Sequence, residues 1–430
     1  MFCRGRYDGV AKGRIVWEIK NFDVNSNHKE ILMKNINHDS LAEIVFELNW
    51  KSAEAAHTER YYKWVNFWRD ILPEEMTSRL MGAAPGHRVE YASPSGKDLA
   101  GDDPGKRVTL KPDCFDAGST KPRYGRFYPL GKISGLYNVY PENIRPFRCV
   151  GVEADAIRAD LNHPLTGHDL KLTAIVGDAI PKPYDRGGHC SVIMDCITDG
   201  PGMQARWNGA PTDFFSPHAL NRPDDNEDNH FYAKPRLVNH IDDRAIATIS
   251  DFYEQLMQPD MDVLDLMSSC RSHVPASAGC RSLTGLGMND EEMAANPQLT
   301  GYTVHDLNAR PNLPFEDRAF DLVICTVSAE YLVKPVAVFA DVARVLRPGG
   351  IFAVTLSNRW FPPKAVNIWP DLHEFERMGL IMEYFHHTGL FTDLHTFSAR
   401  GWPRPETDKY YPQMHYSDPV YAVWGRALSV

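Results

Sequence analysis

Two segments of the chain, residues 231–243 and 267–273, carry side chains that could assist proton transfer to or from a small molecule. The candidates are Tyr232, Arg236, His240, Asp242, Arg271 and His273. An imidazole that is neutral near pH 7 can take a proton from a nucleophile, and a nearby carboxylate can orient it. An arginine fork can hold an anionic group. For His240 the alternative is structural, because together with Asp242 it could cap the helix that follows.

Residues 320–361 contain the elements that would position such a site. They read as an apolar strand, an amphipathic helix with Val338, Val342 and Val345 on its inner face, an Arg-Pro-Gly-Gly turn and a second apolar strand. This order predicts one half of a doubly wound α/β sheet. In such sheets a ligand binds at the carboxyl ends of the parallel strands, so the residues that follow each strand become candidate binding residues.

The same alternation continues on both sides of this stretch. Further strands are predicted at residues 262–267, 282–288 and 303–308, and helices at 245–257 and 290–296, with Asn289 as the N-cap of the second helix. Residues 391–397 and 419–427 are predicted to form a terminal antiparallel pair.

The Leu313–Asp321 run and the Arg347–Gly350 turn, in this order of elements, resemble the class I S-adenosylmethionine-dependent methyltransferases of the type 11 kind. The resemblance covers residues 236–430 and implies a Rossmann-like domain with a mixed seven-stranded sheet. It implies S-adenosyl-L-methionine as the cofactor. It places the cofactor against the residues that follow four strands, which are Asp265, Met267, Ser268, Ser269, Gly287, Met288, Asn289, Asp306, Leu307, Thr326, Val327, Ser328 and Tyr331.

Two positions depart from that family's pattern. The loop Met267–His273 has no glycine, although a backbone that approaches a ligand closely usually requires one. Ser268 and Ser269 are therefore expected to serve there, with their hydroxyls donating to the carboxylate of the cofactor. Gly287 stands where the family has an acidic residue that holds the ribose, and Asn289 is expected to replace it as a hydrogen-bonding group.

Residues 98–183 are predicted to form a separate β-rich domain, since short alternating segments lie between Gly and Pro turns. The runs Arg123–Gly131 and Asp160–Leu172 resemble the bacterial FKBP-type prolyl isomerases that carry an inserted flap, with the turn Asn162–Gly167 as the specific element. The resemblance implies an FKBP-like α+β domain with a helical insertion. The proline pocket of that family is not traceable, so we expect a domain used for contacts, dimerisation or covering the other site.

The remaining segments are less specific. Residues 1–97 are predicted to contain a strand at Arg14–Lys20 and an aromatic-rich helix at Ala55–Met81, which would be core or a subunit contact, and to belong to or pack on the FKBP-like domain. Residues 184–235, with several prolines and an acidic cluster, are predicted to be a polar connector to the methyltransferase-like domain at 236–430.

Composition narrows the function classes. The net charge of −10 disfavours a nucleic-acid binder, and no apolar run is long enough to predict a membrane span. The eight cysteines are scattered without a Cys-x-x-Cys pair, which together with the lack of a secretion signal predicts a cytoplasmic protein. The dispersed histidines show no metal-ligand spacing, so no metal site is expected.

We therefore expect a methyltransferase that acts on a small molecule. A small thiol is the preferred acceptor, because it needs little more than deprotonation in a dry pocket. Transfer to an oxygen or nitrogen of a small metabolite is the alternative. A second hypothesis is an FKBP-type folding helper whose methyltransferase-like domain binds the cofactor without catalysis. A homodimer through the N-terminal or FKBP-like region is also expected.

Overall fold

The computed structural model describes residues 3–4, 33–99, 101–116, 121–182 and 190–428. The chain forms two compact units. The first comprises Met1–Arg6, Ser52–His57 and Met203–Val430, and the second comprises Tyr7–Lys51 and Thr58–Gly202. No helix within the described ranges is long and apolar enough to cross a lipid bilayer. The strand predicted at Arg14–Lys20 lies outside the described residues.

The second unit contains most of the strands that precede residue 203. Its elements are β2 (Ser40–Lys51), β3 (Ala55–Asn66), α1 (Glu74–Leu80), β4 (Arg88–Ser93), β5 (Arg107–Leu110), β6 (Phe127–Pro129), β7 (Pro146–Val152), β8 (Ile157–Asp160), β9 (Leu170–Pro181) and α2 (Ile193–Thr198). Strands follow one another across the first sheet in the order β3-β2-β9-β4 and across the second in the order β5-β8-β7-β6. The described residues between 101 and 182 thus contain β5 to β9, and a separate domain at 98–183 stays a prediction.

The helix predicted at Ala55–Met81 is wrong. Residues 55–66 form β3, and only Glu74–Leu80 is helical. The first half of β3 alternates buried and partly exposed residues, which is the period of two of a strand. Aromatic residues favour strands as well as helix stripes, so their spacing misled the prediction.

Aromatic side chains fill the core of the small sheet. The rings of Phe115 and Tyr128 lie 5.2 Å apart edge to face, and Phe147 is 5.9 Å from Tyr128. All three are buried together with Cys149 and Ile157. These rings therefore stabilise the sheet by packing on one another. The resemblance of this unit to FKBP-type isomerases stays a prediction.

The first unit contains the predicted doubly wound sheet. Its elements are β1 (Cys3–Arg4), α3 (Asp228–Tyr232), α4 (Asp243–Leu256), β10 (Asp262–Leu266), β11 (Ser282–Gly287), α5 (Asp290–Ala294), β12 (Gly301–Val304), β13 (Phe320–Thr326), α6 (Pro335–Val345), β14 (Leu346–Leu356), β15 (Arg359–Trp360), α7 (Glu374–Thr388), β16 (Phe391–Arg400) and β17 (Val420–Ala427). The strand order is β12-β11-β10-β13-β14-β17-β16. The first five strands are parallel, and β17 is antiparallel to both neighbours.

The register brings the carboxyl ends of the central strands to one edge. Asp265 on β10 lies beside Gly285 on β11 and beside Ile324 on β13. One residue further, Leu266 lies between Leu286 and Cys325. The loops that leave β10, β11 and β13 therefore start next to one another, which is where a doubly wound sheet binds ligands.

Helix α4 begins at a capped end and packs on the sheet. The Asp242 side chain accepts a hydrogen bond from the Ala245 amide at 2.9 Å, which satisfies one of the free amides of the first turn. The buried stripe of α4 includes Ile249, Phe252 and Tyr253, and it packs on residues of β10, β11, β13 and β14. Helix α7, which the sequence analysis does not identify, is almost entirely buried.

Part of the predicted connector is also packed. Residues 203–235 contain buried Met203, Ala205 and Phe214, and α3 lies near their end. The Cα position of Gly379 on α7 is close to the backbone of Gln204, since an added Cβ would lie 3.2 Å from its carbonyl oxygen. This stretch belongs to the compact first unit. Its many prolines fix loop conformation without making it solvated.

Candidate functional site

A pocket opens at the carboxyl ends of β10, β11 and β13, and it gathers nearly all of the predicted site residues. Those that line it are Tyr232, His240, Asp265, Met267, Ser268, Ser269, Arg271, His273, Gly287, Met288, Asn289, Asp306, Leu307, Thr326, Val327, Ser328 and Tyr331. Arg236 and Phe361 also line it. Residues that are more than a hundred positions apart in the chain thus form one site.

Asp242 is the predicted site residue that does not line the pocket. Besides capping α4, its carboxylate accepts hydrogen bonds from the Ser417 hydroxyl and the Asp418 amide, both at 2.6 Å. A nitrogen of the Arg404 guanidinium lies 3.2 Å from the same carboxylate, and both side chains are fully buried. These contacts give Asp242 a structural role, so it drops out of the candidate catalytic group.

The loop after β10 is held by hydrogen bonds to acidic side chains. The Ser268 hydroxyl donates to Oδ2 of Asp265 at 2.6 Å, and the Ser269 hydroxyl donates to Oε2 of Glu292 at 2.5 Å. Met267 has a left-handed backbone with φ +60°, which is uncommon for a residue with a side chain. The two serines therefore fix the loop through protein carboxylates, and their oxygens keep the capacity to accept a further hydrogen bond.

Gly287 is required by this loop. A Cβ placed on Gly287 would lie 2.2 Å from the carbonyl oxygen of Ser268, well inside contact distance. The Ser268 amide donates to the Leu286 carbonyl at 2.8 Å, so the loop crosses directly over the end of β11. The glycine that the loop itself lacks is thus supplied by the neighbouring strand, where it permits the close approach of two backbones.

Burial changes the ionisation of Asp265. The side chain is almost inaccessible, and desolvation raises its pKa to about 7, while hydrogen bonds from Ser268 and Ser272 act in the opposite direction. Near neutral pH this carboxyl is therefore divided between its acid and its carboxylate. The pocket floor carries less negative charge than the sequence implies.

Both histidines of the site are kept neutral. Burial lowers the pKa of His273 to about 4, with the charge of Arg271 and the proximity of His240 acting in the same direction. Burial also lowers the pKa of His240, while Glu292 opposes and Arg236 and Lys409 assist the shift. No polar group of the described residues lies within hydrogen-bond distance of Nδ1 of His273. The geometry therefore provides an imidazole that can accept a proton.

Glu292 is a pocket residue that the sequence analysis missed. It lies on α5, and besides the Ser269 hydroxyl it accepts the Arg236 amide at 2.7 Å through Oε1. Asn289, the predicted ribose ligand, is instead occupied: its oxygen accepts the Glu292 amide at 2.9 Å, and its nitrogen donates to the Tyr232 carbonyl at 2.8 Å. The signal for Glu292 was its position three residues after a helix cap that follows a strand.

The floor of the pocket follows β13. The Thr326 hydroxyl lies 2.6 Å from the hydroxyl of Tyr253 on α4. The Tyr331 hydroxyl accepts a hydrogen bond from the Phe361 amide at 2.9 Å, and burial raises its pKa, so it stays protonated. Val327 adopts a left-handed backbone with φ +48°, which is strained for a β-branched residue. Strain of this kind typically persists where a loop is tightly held at a site.

Asn308 and Asp228 connect the segment that follows β12 to Tyr331 on the pocket floor. The Asn308 side-chain nitrogen donates to Asp228 at 2.8 Å and to the Tyr331 carbonyl at 2.9 Å. Asp228 is paired with Arg222 at 2.8 Å and with Lys364 at 3.2 Å. The sequence analysis identified neither residue as part of the site. Asp228 lies in the predicted connector, where no periodic pattern marks it.

Asp306 keeps a defined orientation. One of its carboxylate oxygens accepts the amides of Asn308 at 2.9 Å and Ala309 at 3.0 Å. The side chain is thereby fixed at the pocket wall beside Leu307. A carboxylate offers several acceptor positions, so Asp306 can accept a further donor from a ligand.

Comparison with known proteins agrees with this geometry. Residues 271–354 match the family model of the methyltransferase domain, from the loop after β10 to the end of β14. This part of the first unit is thus similar to a methyltransferase domain, and that similarity implies S-adenosylmethionine as the cofactor. None of the curated proteins matches the chain.

Several solved structures are similar to part of this chain at low identity. A structure described as a methyltransferase from Bacillus halodurans is 13% identical, with 43% of this chain and 97% of that chain covered and a TM-score of 0.28. An S-adenosylmethionine-dependent methyltransferase from Mesorhizobium loti is 13% identical, with 43% and 99% covered and a TM-score of 0.29. Another from Methanosarcina mazei is 13% identical, with 41% and 98% covered and a TM-score of 0.27. Similarities this distant do not indicate a substrate.

Proposed function

We propose that the protein is an S-adenosylmethionine-dependent methyltransferase that acts on a small molecule in the pocket of the first unit. The observation that carries the proposal is the placement of two neutral histidines, His240 and His273, in the pocket where the central parallel strands end. A neutral imidazole within a partly closed pocket is suited to take the proton that an acceptor loses on methylation.

The residues present fit the cofactor. Gly287 lets the Ser268 loop cross close over the end of β11, and the oxygens of Ser268 and Ser269 can accept hydrogen bonds from an ammonium group. Glu292 would take the place of the family's acidic ribose ligand, and Asp306 would bind the adenine. When bound, S-adenosylmethionine supplies an electrophilic methyl group.

The residues of the chain then have three tasks. Tyr331 and Thr326, both anchored by hydrogen bonds, define the floor against which the acceptor is positioned. His273, which lines the pocket, takes the proton of the acceptor. Phe361 and Tyr232 add aromatic surface that excludes water from the acceptor.

A small thiol remains our proposal for the acceptor. Compared with a phenol or a lysine-like ammonium group, a thiol loses its proton most easily, because its ordinary pKa of about 8.5 lies below their values of about 10 and about 10.4. An imidazole whose pKa is lowered to about 4 is a weak base and suits an acceptor of this kind best. Transfer to oxygen or nitrogen is the competing outcome.

Two measurements test the proposal. Calorimetry should detect binding of S-adenosylmethionine, and the absence of binding at millimolar cofactor would overturn the enzyme assignment. A panel of small thiols, amines and phenols should then be followed by release of S-adenosylhomocysteine. Turnover confined to amines or phenols would refute the thiol acceptor while leaving the methyltransferase assignment intact.

For residues 98–183 we propose a role in contacts, including homodimer formation, on an FKBP-like scaffold. The supporting observation is the exposure of Tyr137, which is 92% accessible, and of the neighbouring apolar residues Tyr140 and Ile144. Large apolar side chains grouped on a surface are typical of interaction sites. Light scattering of the full chain and of a Tyr137→Ser/Tyr140→Ser variant tests this proposal: a monomeric wild-type protein would refute dimer formation.

A further inference from the structure

Two arginines enter the pocket from different segments. Arg236 lies in the stretch before α4, and Arg271 lies in the loop after β10. The segments touch, because the Cys270 thiol lies 3.9 Å from the Arg236 carbonyl and Glu292 accepts hydrogen bonds from both the Arg236 amide and Ser269. The chain therefore brings two positive side chains to one side of the pocket.

Neither guanidinium forms an ion pair with another of the described residues. In the described part of the chain no carboxylate lies within ion-pair distance of Arg236 or Arg271. The well-buried arginines of the same unit behave differently: Arg222, Arg359 and Arg404 each lie within 3.0 Å of an aspartate. Arg236 is partly buried and Arg271 is exposed, so the missing counter-charge is costly chiefly for Arg236, and a ligand that supplies it would stabilise that side chain.

The side chain of Arg236 is also oriented in advance. Its guanidinium lies 4.5 Å from the centre of the Phe231 ring and 5.3 Å from that of Phe361, and one of its nitrogens donates to the Phe231 carbonyl at 3.0 Å. Stacking on aromatic faces fixes the plane of the fork and leaves its other donors available. A fixed fork is suited to a planar carboxylate.

Charges of both signs surround the two histidines. Asp228 is paired with Arg222 and Lys364, and Asp265 is deeply buried and bonded to Ser268. Glu292 accepts hydrogen bonds from two neutral donors, the Arg236 amide and the Ser269 hydroxyl, and its charge acts on His240. The charge that acts on His273 is that of Arg271, so the His273 side of the pocket is the one that favours an anionic ligand.

We propose that Arg236 and Arg271 bind a carboxylate of the methyl acceptor, so that the substrate is a small acid whose nucleophile faces the histidines. This inference rests on the proposed methyltransferase function and narrows its substrate class. The competing source of a carboxylate is the amino-acid end of the cofactor, and the test separates the two.

The test compares acids with their primary amides. Binding of 3-mercaptopropionate and 4-mercaptobenzoate, and of the two amides, is measured by saturation-transfer NMR on the full chain saturated with S-adenosylhomocysteine. The same measurement is made on Arg236→Met, Arg236→Lys and Arg271→Met, with Arg244→Met on the exposed face of α4 as the matched control. Calorimetry gives the S-adenosylhomocysteine affinity of each variant.

We expect the wild-type protein and the control to prefer each acid over its amide by at least about tenfold, which corresponds to about 1.4 kcal/mol. Arg236→Met should abolish the preference, and Arg236→Lys should restore part of it, while S-adenosylhomocysteine affinity changes less than threefold. Equal binding of acid and amide to the wild-type protein, or no binding of either, overturns the proposal. So does a large loss of S-adenosylhomocysteine affinity in the variants, which would assign the arginines to the cofactor. Failure of the wild-type protein to bind S-adenosylhomocysteine refutes the proposed function instead.

Discussion

The carbonyl oxygen of Ser268 occupies the space in which a side chain at Gly287 would begin. An added Cβ would lie 2.2 Å from that oxygen, and the Ser268 amide is bonded to the residue before the glycine. Ser268 belongs to the loop after β10, and Gly287 is the last residue of β11. Their contact determines the shape of the pocket wall, because neither backbone can move without displacing the other.

Gly287→Ala is therefore expected to disturb the site. The methyl group forces the Ser268 loop outward, so we expect a loss of about 1–3 kcal/mol in unfolding free energy and a fall of at least tenfold in S-adenosylhomocysteine affinity. Denaturant unfolding and calorimetry measure the two effects. Gly301→Ala on β12 is the matched control, since a Cβ there has open space within 4 Å. Equal behaviour of the two variants would contradict the steric argument.

Asp265 should make stability depend on pH. Its pKa is about 7 in the folded protein, against an ordinary value of 3.8. Between these values the unfolded chain has lost the proton that the folded protein keeps, so the unfolding free energy falls as pH rises, by up to about 1.4 kcal/mol per pH unit. Above pH 7 Asp265 is ionised in both states, and the whole cost of burying its charge lowers the unfolding free energy. Asp265→Asn should flatten the slope between pH 4 and 7 in urea unfolding, and an unchanged slope would exclude this carboxyl as its source.

One of the two pocket histidines is expected to remove the proton from the methyl acceptor. Replacement of the catalytic one by glutamine should lower kcat by about 10²–10⁴-fold, whereas His87→Gln, an exposed control in the other unit, should not. Because the pKa of His273 is about 4, its imidazole stays neutral down to that value. If it is the base, the acid limb of kcat/KM lies near pH 4. Full turnover in both His240→Gln and His273→Gln would show that neither acts as the base.

Asp242→Ala should affect folding and leave ligand binding intact. The substitution leaves the buried Arg404 with fewer counter-charges and removes the cap of α4, so we expect a loss on the order of 3 kcal/mol in unfolding free energy. S-adenosylhomocysteine affinity should change less than twofold. Asp243→Ala, exposed at the first turn of the same helix, should change stability by less than about 0.5 kcal/mol. Normal stability with lost turnover would instead restore Asp242 to the catalytic group.

The sequence predicted the doubly wound sheet well, because each element has a strong local signal. The apolar runs of β13 and β14, the inward valines of α6 and the cap of α5 all follow from periods and end signals within a dozen residues. Among the elements that were not identified correctly, β3 and α7 each have a clear physical reason. The aromatic residues of β3 suit either period. Helix α7 buries the charged residues Glu376, Arg377 and Glu383 together with its apolar ones, so its polar positions do not mark an exposed face.

The sequence by itself determined which residues follow the parallel strands, and hence which ones meet at one edge, because parallel topology fixes that edge. Only the tertiary structure decided what each of them does. It placed Asp242 in a buried ion network, brought Glu292 into the pocket and turned the hydroxyls of Ser268 and Ser269 toward protein carboxylates. These outcomes depend on distances and burial among residues far apart in the chain. No local pattern encodes such distances, and pKa values and hydrogen-bond partners follow from them.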